Sequence, residues 1–259
     1  MSGLGEFSAK VPLALQEKGH DIRTIIPKYG YVSERKYILR EVIRLREIPF
    51  VYKGEEISAS AKSAFIPKTR VQVYFLEDEY WFKPLSDLVY KSKNGRVLAD
   101  NGERYGFFAK AVLSTLPHLF WAPDIFICNG WQSAMLPGMF KKHFDGINEF
   151  YKEIKTVMVI HDLDEYAEFS RTDLDNAEVP IHKSLKGKML NIYEVGAFEA
   201  DAIIIFDKPS SNISKELLLK PGIKANKKKV NVIKWSDDET PDYLAIADKM
   251  DKVLKKLSD

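Results

Sequence analysis

The run AIIIF, residues 202–206, decides the fold class of this chain. It is short, uncharged and rich in β-branched residues, which is typical of a strand that is covered on both faces. A second run of the same kind, IFIC at residues 125–128, predicts another such strand. Strands buried on both faces occur mainly in parallel sheets with helices on each side. We therefore expect an α/β protein.

Strands and helical segments alternate outward from these two runs. Helical spacing of apolar residues predicts helices over Glu103 to Leu119, Gln132 to Phe140 and Leu185 to Glu199. Such alternation predicts βαβ units, and so a Rossmann-like parallel sheet with helices on both faces. The predicted strands are Asp21 to Ile26, Val71 to Leu76, Ile125 to Asn129, Thr156 to His161, Ala202 to Phe206 and Val230 to Ile233.

Two segments depart from this alternation. Short extended pieces between Tyr37 and Pro67 predict a small antiparallel excursion at the edge of the main sheet, with KGEE at residues 53–56 as a turn. The segment from Asp162 to Lys183 is polar and shows no periodicity, so we predict a mobile surface loop. We treat residues 1–259 as one domain that ends in a helix over residues 241–259.

The first residues form a Gly-rich turn, Gly3-Leu4-Gly5, that leads directly into a helical pattern. A doubly wound sheet normally has a strand before such a turn, so we expect the first strand to be missing or supplied otherwise. Unpaired N–H groups and the positive dipole end of the helix could bind an anion here. The alternative is a tight turn without a ligand.

Composition and charge exclude several classes of protein. The 39 basic and 37 acidic residues give a formal net charge of +2 at pH 7, which argues against a nucleic-acid footprint. The single cysteine, Cys128, cannot form an internal disulfide, and the start has no signal-peptide pattern. The apolar runs are far shorter than the roughly 18 residues of a membrane span. We expect a cytoplasmic protein with no nucleic-acid or membrane partner.

The segment ICNGWQSAMLP, residues 127–137, follows a predicted strand and leads into a predicted helix. Open α/β sheets bind ligands outside the carboxyl ends of their strands, so Asn129, Trp131 and Gln132 would lie at the mouth of a crevice. The indole of Trp131 could stack on a sugar ring and anchor it through its N–H. Equally, Trp131 could fill the junction between strand and helix.

His161 stands at the end of another buried strand, in VMVIHDLDEYAEF at residues 157–169. An imidazole at this edge can hydrogen-bond a hydroxyl or a phosphate oxygen. Asp162 and Asp164 share a face on an extended chain, which would suit a metal, but no other His or Cys lies at ligand spacing. We expect no metal site.

Taken in order, these segments resemble the N-terminal half of the bacterial glycogen and starch synthases, which are retaining glucosyltransferases of the GT-B type. The resemblance includes GLGEFSAKVPLALQEKGHDIRTIIPKYG at residues 3–30 and ADNGERYGFFAKAVL at residues 99–113. It continues through PDIFICNGWQSAMLP at residues 123–137 and VIHDLDEYAEF at residues 159–169, and so spans nearly the whole chain.

The resemblance implies transfer of glucose from ADP-glucose to an α-1,4-glucan, with retention of configuration and without a metal or other cofactor. Gly3 and Gly5 would face the donor phosphates, and His161 would hydrogen-bond the transferred glucose as the catalytic residue. Substrate-binding residues would be Asn129, Trp131, Gln132 and Asp162. The partners would be a nucleotide sugar, a glucan acceptor and a separate donor-binding GT-B domain.

The family has two Rossmann-like domains, and this chain is long enough for one, so we expect an N-terminal half that is incomplete as an enzyme without a donor-binding half. An alternative is a noncatalytic glucan-binding or regulatory module derived from the family. It is motivated by Asn129, Gly130 and Asp162, which stand where the family has His, Asp and Asn.

Overall fold

A computed structural model describes residues 3–67, 69–84, 89–236 and 241–258. The helices are α1 (Gly3–Glu17), α2 (Glu34–Tyr37), α3 (Asn101–Leu119), α4 (Leu136–His143), α5 (Arg171–Asn176), α6 (Ile192–Glu199), α7 (Ile213–Leu217), α8 (Pro221–Ala225) and α9 (Tyr243–Ser258). The strands are β1 (Arg23–Pro27), β2 (Arg40–Glu41), β3 (Ile48–Tyr52), β4 (Glu55–Phe65), β5 (Gln72–Glu77), β6 (Ile125–Asn129), β7 (Lys155–Ile160), β8 (Glu168–Ser170), β9 (Met189–Asn191), β10 (Ala202–Asp207) and β11 (Val230–Lys234).

Four parallel strands, in the order β11-β10-β7-β6, form the sheet that carries the two apolar runs. Strand β10 is buried along its whole length, as its apolar run at residues 202–206 predicts, and the buried Asp207 at its end accepts a hydrogen bond from the N–H of Ser214. Its side chains alternate: Ile203 and Ile205 pack on one side, whereas Ile204 and Phe206 pack with α1 and α9 on the other. This alternation requires a covering layer on each face, which confirms the predicted α/β fold.

The second sheet has the order β1-β5-β4-β2, with β3 paired to β4. Strands β1 and β5 are parallel, and β4 is antiparallel to its partners β5, β2 and β3. Lys53 and Gly54 have φ values of 56° and 78°, the positive values of a type I′ hairpin turn between β3 and β4. The antiparallel excursion predicted between Tyr37 and Pro67 is therefore confirmed.

The helix predicted over Leu185 to Glu199 is wrong in its first half. Gly187 has a φ of 108°, which a helix cannot continue through, and β9 begins two residues later at Met189. Helix α6 begins only at Ile192, where the Asn191 side chain accepts the N–H of Tyr193. Helix α4 likewise starts later than predicted, after a 3₁₀ turn over Trp131–Ser133.

The segment from Asp162 to Lys183 is also more ordered than its polar sequence predicts. It forms β8, which pairs antiparallel with β9, and then α5. A reciprocal capping box begins α5: the Ser170 hydroxyl accepts the N–H of Asp173, and the Asp173 carboxylate accepts the N–H of Ser170. Polar residues of this segment, such as Ser170 and Asp173, therefore cap a helix and do not indicate a mobile loop.

Helix α3 begins at Asn101, close to the prediction, but Asp100 does not cap it through its side chain. The Asp100 carboxylate instead accepts two hydrogen bonds of 2.7 Å from the guanidinium of Arg104, one turn later. Arg104 also donates to the carbonyl oxygen of Trp81 at 3.0 Å. The motif ADNGER therefore ties the chain around Trp81 to the start of α3.

The C-terminal helix, predicted over residues 241–259, is α9; residue 259 lies outside the described part of the chain. Its apolar face joins the buried cluster that contains Val11 and Leu15 of α1. The His20 imidazole also hydrogen-bonds the Asp251 carboxylate at 2.7 Å. Helix α9 thus holds α1 against the parallel sheet.

Candidate functional site at the carboxyl ends of the parallel strands

Strand β6 ends at Asn129, and a glycine with a positive φ turns the chain there. Gly130 has a φ of 72°, and its N–H donates to the carbonyl oxygen of Val159 in β7 at 3.0 Å. A Cβ at this position would lie 3.0 Å from the side-chain oxygen of Gln132 and 3.4 Å from a methyl carbon of Leu4. The turn therefore brings the end of β6 against the first turn of α1.

The first turn of α1 contains Gly3 and Gly5, since the helix begins at Gly3 rather than after a Gly-rich turn. The sequence predicted a turn because glycine is a poor helix former, but packing overrides this preference. Phe7, one turn further on, is 3% exposed and meets His161 edge-on, with ring centroids 4.6 Å apart. The free N–H groups of the first turn lie at the carboxyl edge of the sheet.

His161 directly follows β7 and is partly buried at this edge. Its Nε2 lies 3.3 Å from the side-chain oxygen of Asn129, and its ring stacks on Phe206 at 5.2 Å. Burial lowers the pKa of His161 from 6.5 to about 4, so the imidazole is neutral at pH 7. With Nε2–H donating to Asn129, the Nδ1 atom carries the lone pair.

Trp131 is 2% exposed, so its ring fills the junction between β6 and the following 3₁₀ turn. Its faces and edges are covered by Tyr105, Tyr90 and Phe169, at centroid distances of 5.0, 5.7 and 5.8 Å. Its Nε1–H donates to the Asp164 carboxylate at 3.1 Å. The structure therefore favours a Trp131 that fills the junction between strand and helix over one that stacks on a sugar. Through its hydrogen bond to Asp164, Trp131 holds the loop after β7 in place.

Asp162 is an exposed carboxylate of that loop. Partial burial of the carboxyl group and repulsion from Asp164 both raise the pKa of Asp162. Asp164 accepts the N–H of Tyr166 at 2.8 Å as well as the Trp131 indole. Among the described residues, no group of three or more His, Cys, Asp or Glu side chains could hold a metal ion.

Sequence reasoning missed the aromatic neighbours of this edge. Tyr90 and Tyr166 meet with centroids 4.8 Å apart, and the Lys91 ammonium lies 5.7 Å and 5.6 Å from the two rings. Tyr90 also contacts Trp131, whereas its own segment carries no recognisable motif. The hydroxyl of Tyr193 is buried near the backbone of Trp131 and the carboxylates of Asp162 and Asp164. Only the three-dimensional fold brings these residues together.

The sheet edge thus unites most of the residues chosen from the sequence. Asn129 and His161 are hydrogen-bonded, the first turn of α1 lies beside them, and Asp162 follows His161. Gln132 is partly buried, with its side-chain oxygen close to Gly130. Cys128 is fully enclosed below the edge, and burial raises the pKa of its thiol to about 12, so it is not a nucleophile.

Residues 1–220 match the family model described as "Starch synthase catalytic domain". The chain belongs to the starch synthase catalytic domain family. The motifs quoted from residues 3–30, 99–113, 123–137 and 159–169 all fall within the matched range.

Curated relatives of this chain include bacterial glycogen synthases. The glycogen synthase of Chlorobium limicola is 36% identical over 163 residues, which are 63% of this chain and 33% of that protein. The glycogen synthase of Chlorobaculum tepidum is 30% identical over 206 residues, which are 78% of this chain and 42% of that protein. The chain thus spans about a third to two fifths of these relatives.

A solved structure has the same fold. It is the catalytic domain of starch synthase IV from Arabidopsis thaliana, bound to ADP and acarbose, with a TM-score of 0.73 and 19% sequence identity. The alignment covers 90% of this chain and 48% of that one.

The described helices include none with the length and apolar character that a membrane span requires.

Proposed function

We propose that this chain is the N-terminal half of a retaining glucosyltransferase that moves glucose from ADP-glucose to the non-reducing end of an α-1,4-glucan. The observation that carries the proposal is the neutral His161, held by Asn129 beside the first turn of α1. It occurs in a chain whose first 220 residues match the starch synthase catalytic domain. That match favours an enzyme domain over a noncatalytic module.

The first turn of α1 is proposed to bind the diphosphate of the donor. Its N–H groups have no carbonyl partner within the helix, and the positive end of the helix dipole favours an anion. Gly3 and Gly5 lack side chains, so a phosphate can approach the backbone closely. These groups would stabilise the charge that develops on ADP as the glycosidic bond to glucose breaks.

His161 is proposed to position the transferred glucose. A cationic imidazole would repel the positive charge that develops on the sugar ring, whereas burial keeps this one neutral. Since Nε2–H donates to Asn129, Nδ1 can accept a hydrogen bond from a sugar hydroxyl. Asn129 thus fixes both the tautomer and the ring orientation.

The acceptor glucan is proposed to lie along the loop after β7 and the turn after β6. The exposed carboxylate of Asp162 and the side-chain amide of Gln132 offer hydrogen-bonding groups for sugar hydroxyls. Trp131 contributes indirectly, because its bond to Asp164 holds the loop in place. The ADP and acarbose in the Arabidopsis structure support a nucleotide sugar and a glucan as ligands.

A second, donor-binding domain is proposed as the partner of this half. The chain aligns with only 33% of the Chlorobium limicola protein, so most of that enzyme lies outside the alignment. A cleft between two such domains excludes water, which protects the activated sugar from hydrolysis. We place this activity in the cytoplasm, where the enclosed Cys128 stays reduced.

Glycogen-dependent release of ADP from ADP-glucose tests the proposal. The chain is assayed alone and mixed with the donor-binding domain of the Chlorobium limicola enzyme. We expect release in the mixture, at least about 100-fold less with His161→Ala, and no change with EDTA. His182→Ala is the matched control, because His182 stacks on Phe198 at the end of α6, away from the site. Glycogen binding with no ADP release in any mixture would favour the noncatalytic module instead.

A further inference from the structure

The residues at the carboxyl end of β10 alternate between the two faces of the parallel sheet. Ile204 and Phe206 pack in the cluster that contains α1 and α9. The Asp207 carboxylate instead accepts the N–H of Ser214 in α7, whose apolar residues belong to the cluster on the opposite face. Because successive side chains along a strand point to opposite faces, Lys208 returns to the face that α1 covers.

A buried tryptophan holds the Lys208 side chain on this face. The Lys208 ammonium lies 5.7 Å from the ring centroid of Trp235, which directly follows β11. Trp235 is 5% exposed, and the rings of Phe206 and Tyr243 pack against it at 5.2 Å and 6.0 Å. Lys208 is exposed, but its contact with a fixed indole restricts its side chain. Such a restricted cation loses less conformational entropy when it binds a ligand.

Lys208 is a close neighbour of His161 at the sheet edge. Strand β7 pairs with β10 so that Ile160 lies beside Ile205, which brings His161 beside Phe206 and Lys208 two residues further along. The stacking of His161 on Phe206 at 5.2 Å agrees with this register. From the usual spacing of strands and residues, the α-carbons of His161 and Lys208 are about 8 Å apart.

Phe7 connects this part of the edge to the start of α1. Its ring contacts the rings of His161, Phe206 and Trp235, with centroids 4.6, 5.1 and 6.1 Å apart. Phe7 lies one turn after Gly3, so the first turn of α1 and the Lys208 ammonium flank the same group of rings. A ligand bound at the start of α1 therefore lies on the side of the sheet that carries Lys208.

The charges at this edge favour a role for Lys208 in binding an anion. The first turn of α1 contains the carboxylate of Glu6, which repels a diphosphate, and a nearby cation offsets that repulsion. No ion pair among the described residues includes Lys208, whereas Lys28, at the end of β1, binds Glu34 and Glu77 at 2.9 Å each. The Lys208 ammonium is therefore available for a phosphate, which lysine binds as a point charge.

We propose that Lys208 binds the diphosphate of the nucleotide-sugar donor while His161 holds the glucose of the same molecule. This inference rests on the donor binding proposed above and adds a cationic contact to it. Glucose and diphosphate are joined through a single oxygen, and the long, flexible lysine side chain covers the distance between the two residues. The ammonium stabilises the negative charge that develops on ADP as the bond to glucose breaks.

Lys208→Ala tests this contact, and Lys208→Arg keeps the charge. Lys215→Ala is the matched control, because it removes the same charge from α7, on the opposite face of the sheet. Each chain is mixed with the donor-binding domain of the Chlorobium limicola enzyme. We expect Lys208→Ala to raise the KM for ADP-glucose and the inhibition constant of ADP at least about tenfold, and Lys208→Arg to raise them less than about threefold. The KM for glycogen and the inhibition constant of adenosine, which has no phosphate, should not change.

Turnover with equal ADP constants in Lys208→Ala and Lys215→Ala would overturn the Lys208 contact and leave the proposed glucosyltransferase activity intact. Equal weakening of ADP and adenosine would also overturn it, because Lys208 would then contact the nucleoside. No turnover in any mixture would contradict the proposed function, and calorimetric titration of the same mixtures with ADP then decides the role of Lys208. ADP binding that weakens at least about tenfold in Lys208→Ala supports the contact, whereas binding that is absent or unchanged overturns it.

Discussion

Replacement of Trp131 by phenylalanine separates a structural role from a sugar-stacking role. The indole is 2% exposed and donates to Asp164 at 3.1 Å. A hydrogen bond to a charged group contributes about 1.5–3 kcal/mol, and partial exposure of Asp164 places this one at the lower end. The smaller ring leaves a cavity that costs on the order of 1 kcal/mol. We expect Trp131→Phe to lower the free energy of unfolding by about 2–3 kcal/mol.

Urea denaturation followed by circular dichroism measures this loss. With a slope of about 3 kcal/mol per molar urea, the midpoint should fall by about 0.7–1 M. Trp121→Phe is the matched control, because Trp121 is only partly buried and its ring packs against Arg23, a contact worth about 1 kcal/mol or less. A midpoint no lower than that of the control, together with a loss of glycogen affinity, would refute the buried role.

Three other changes have defined outcomes. Gly130→Ala forces a φ of 72° on a residue with a Cβ and should cost about 1–2 kcal/mol in urea denaturation. Lys62 and Lys28 lower the pKa of Glu34 from 4.5 to about 2. The ionised carboxylate therefore stabilises the fold above pH 4.5, and this contribution is lost as the pH falls towards 2. In Glu34→Gln, the free energy of unfolding should vary less with pH over that range. The pKa of His161 is lower in the folded chain, at about 4, than in the unfolded chain, at 6.5. The free energy of unfolding should therefore fall as the pH is lowered from 6.5 to 4, and it should fall less steeply in His161→Gln. A folded His161 that titrates near pH 6.5 by NMR would contradict the last expectation.

The central strands were predictable because their apolar sequences match the apolar layers that cover them. The runs at residues 125–128 and 202–206 are continuous apolar segments in a layer covered on both faces. The Lys53-Gly54 turn was visible for a similar reason, since Gly supports the positive φ of a hairpin. Local pattern and tertiary environment impose the same requirement at these positions.

The missed features depend on contacts between distant segments. The order of residues 162–183 comes from the pairing of β8 with β9 and from the capping box of Ser170, and neither has a hydrophobic period. Burial of Trp131 results from Tyr90, Tyr105 and Phe169, which are remote from it in the sequence. The hydrophobic pattern therefore predicted where the strands end, but it did not predict which side chains at this edge are buried and which are exposed.

Transfer of radiolabelled glucose from ADP-glucose to glycogen tests the central claim most directly. The chain is combined with the donor-binding domain of the Chlorobium limicola enzyme, and the labelled glycogen is digested with β-amylase, which removes α-1,4-linked residues from non-reducing ends. We predict that the label enters glycogen, that β-amylase releases it, and that His161→Ala abolishes its incorporation while His182→Ala does not. Label that never enters glycogen, or that enters it equally with His161→Ala, would contradict a glucosyltransferase site at this edge of the sheet.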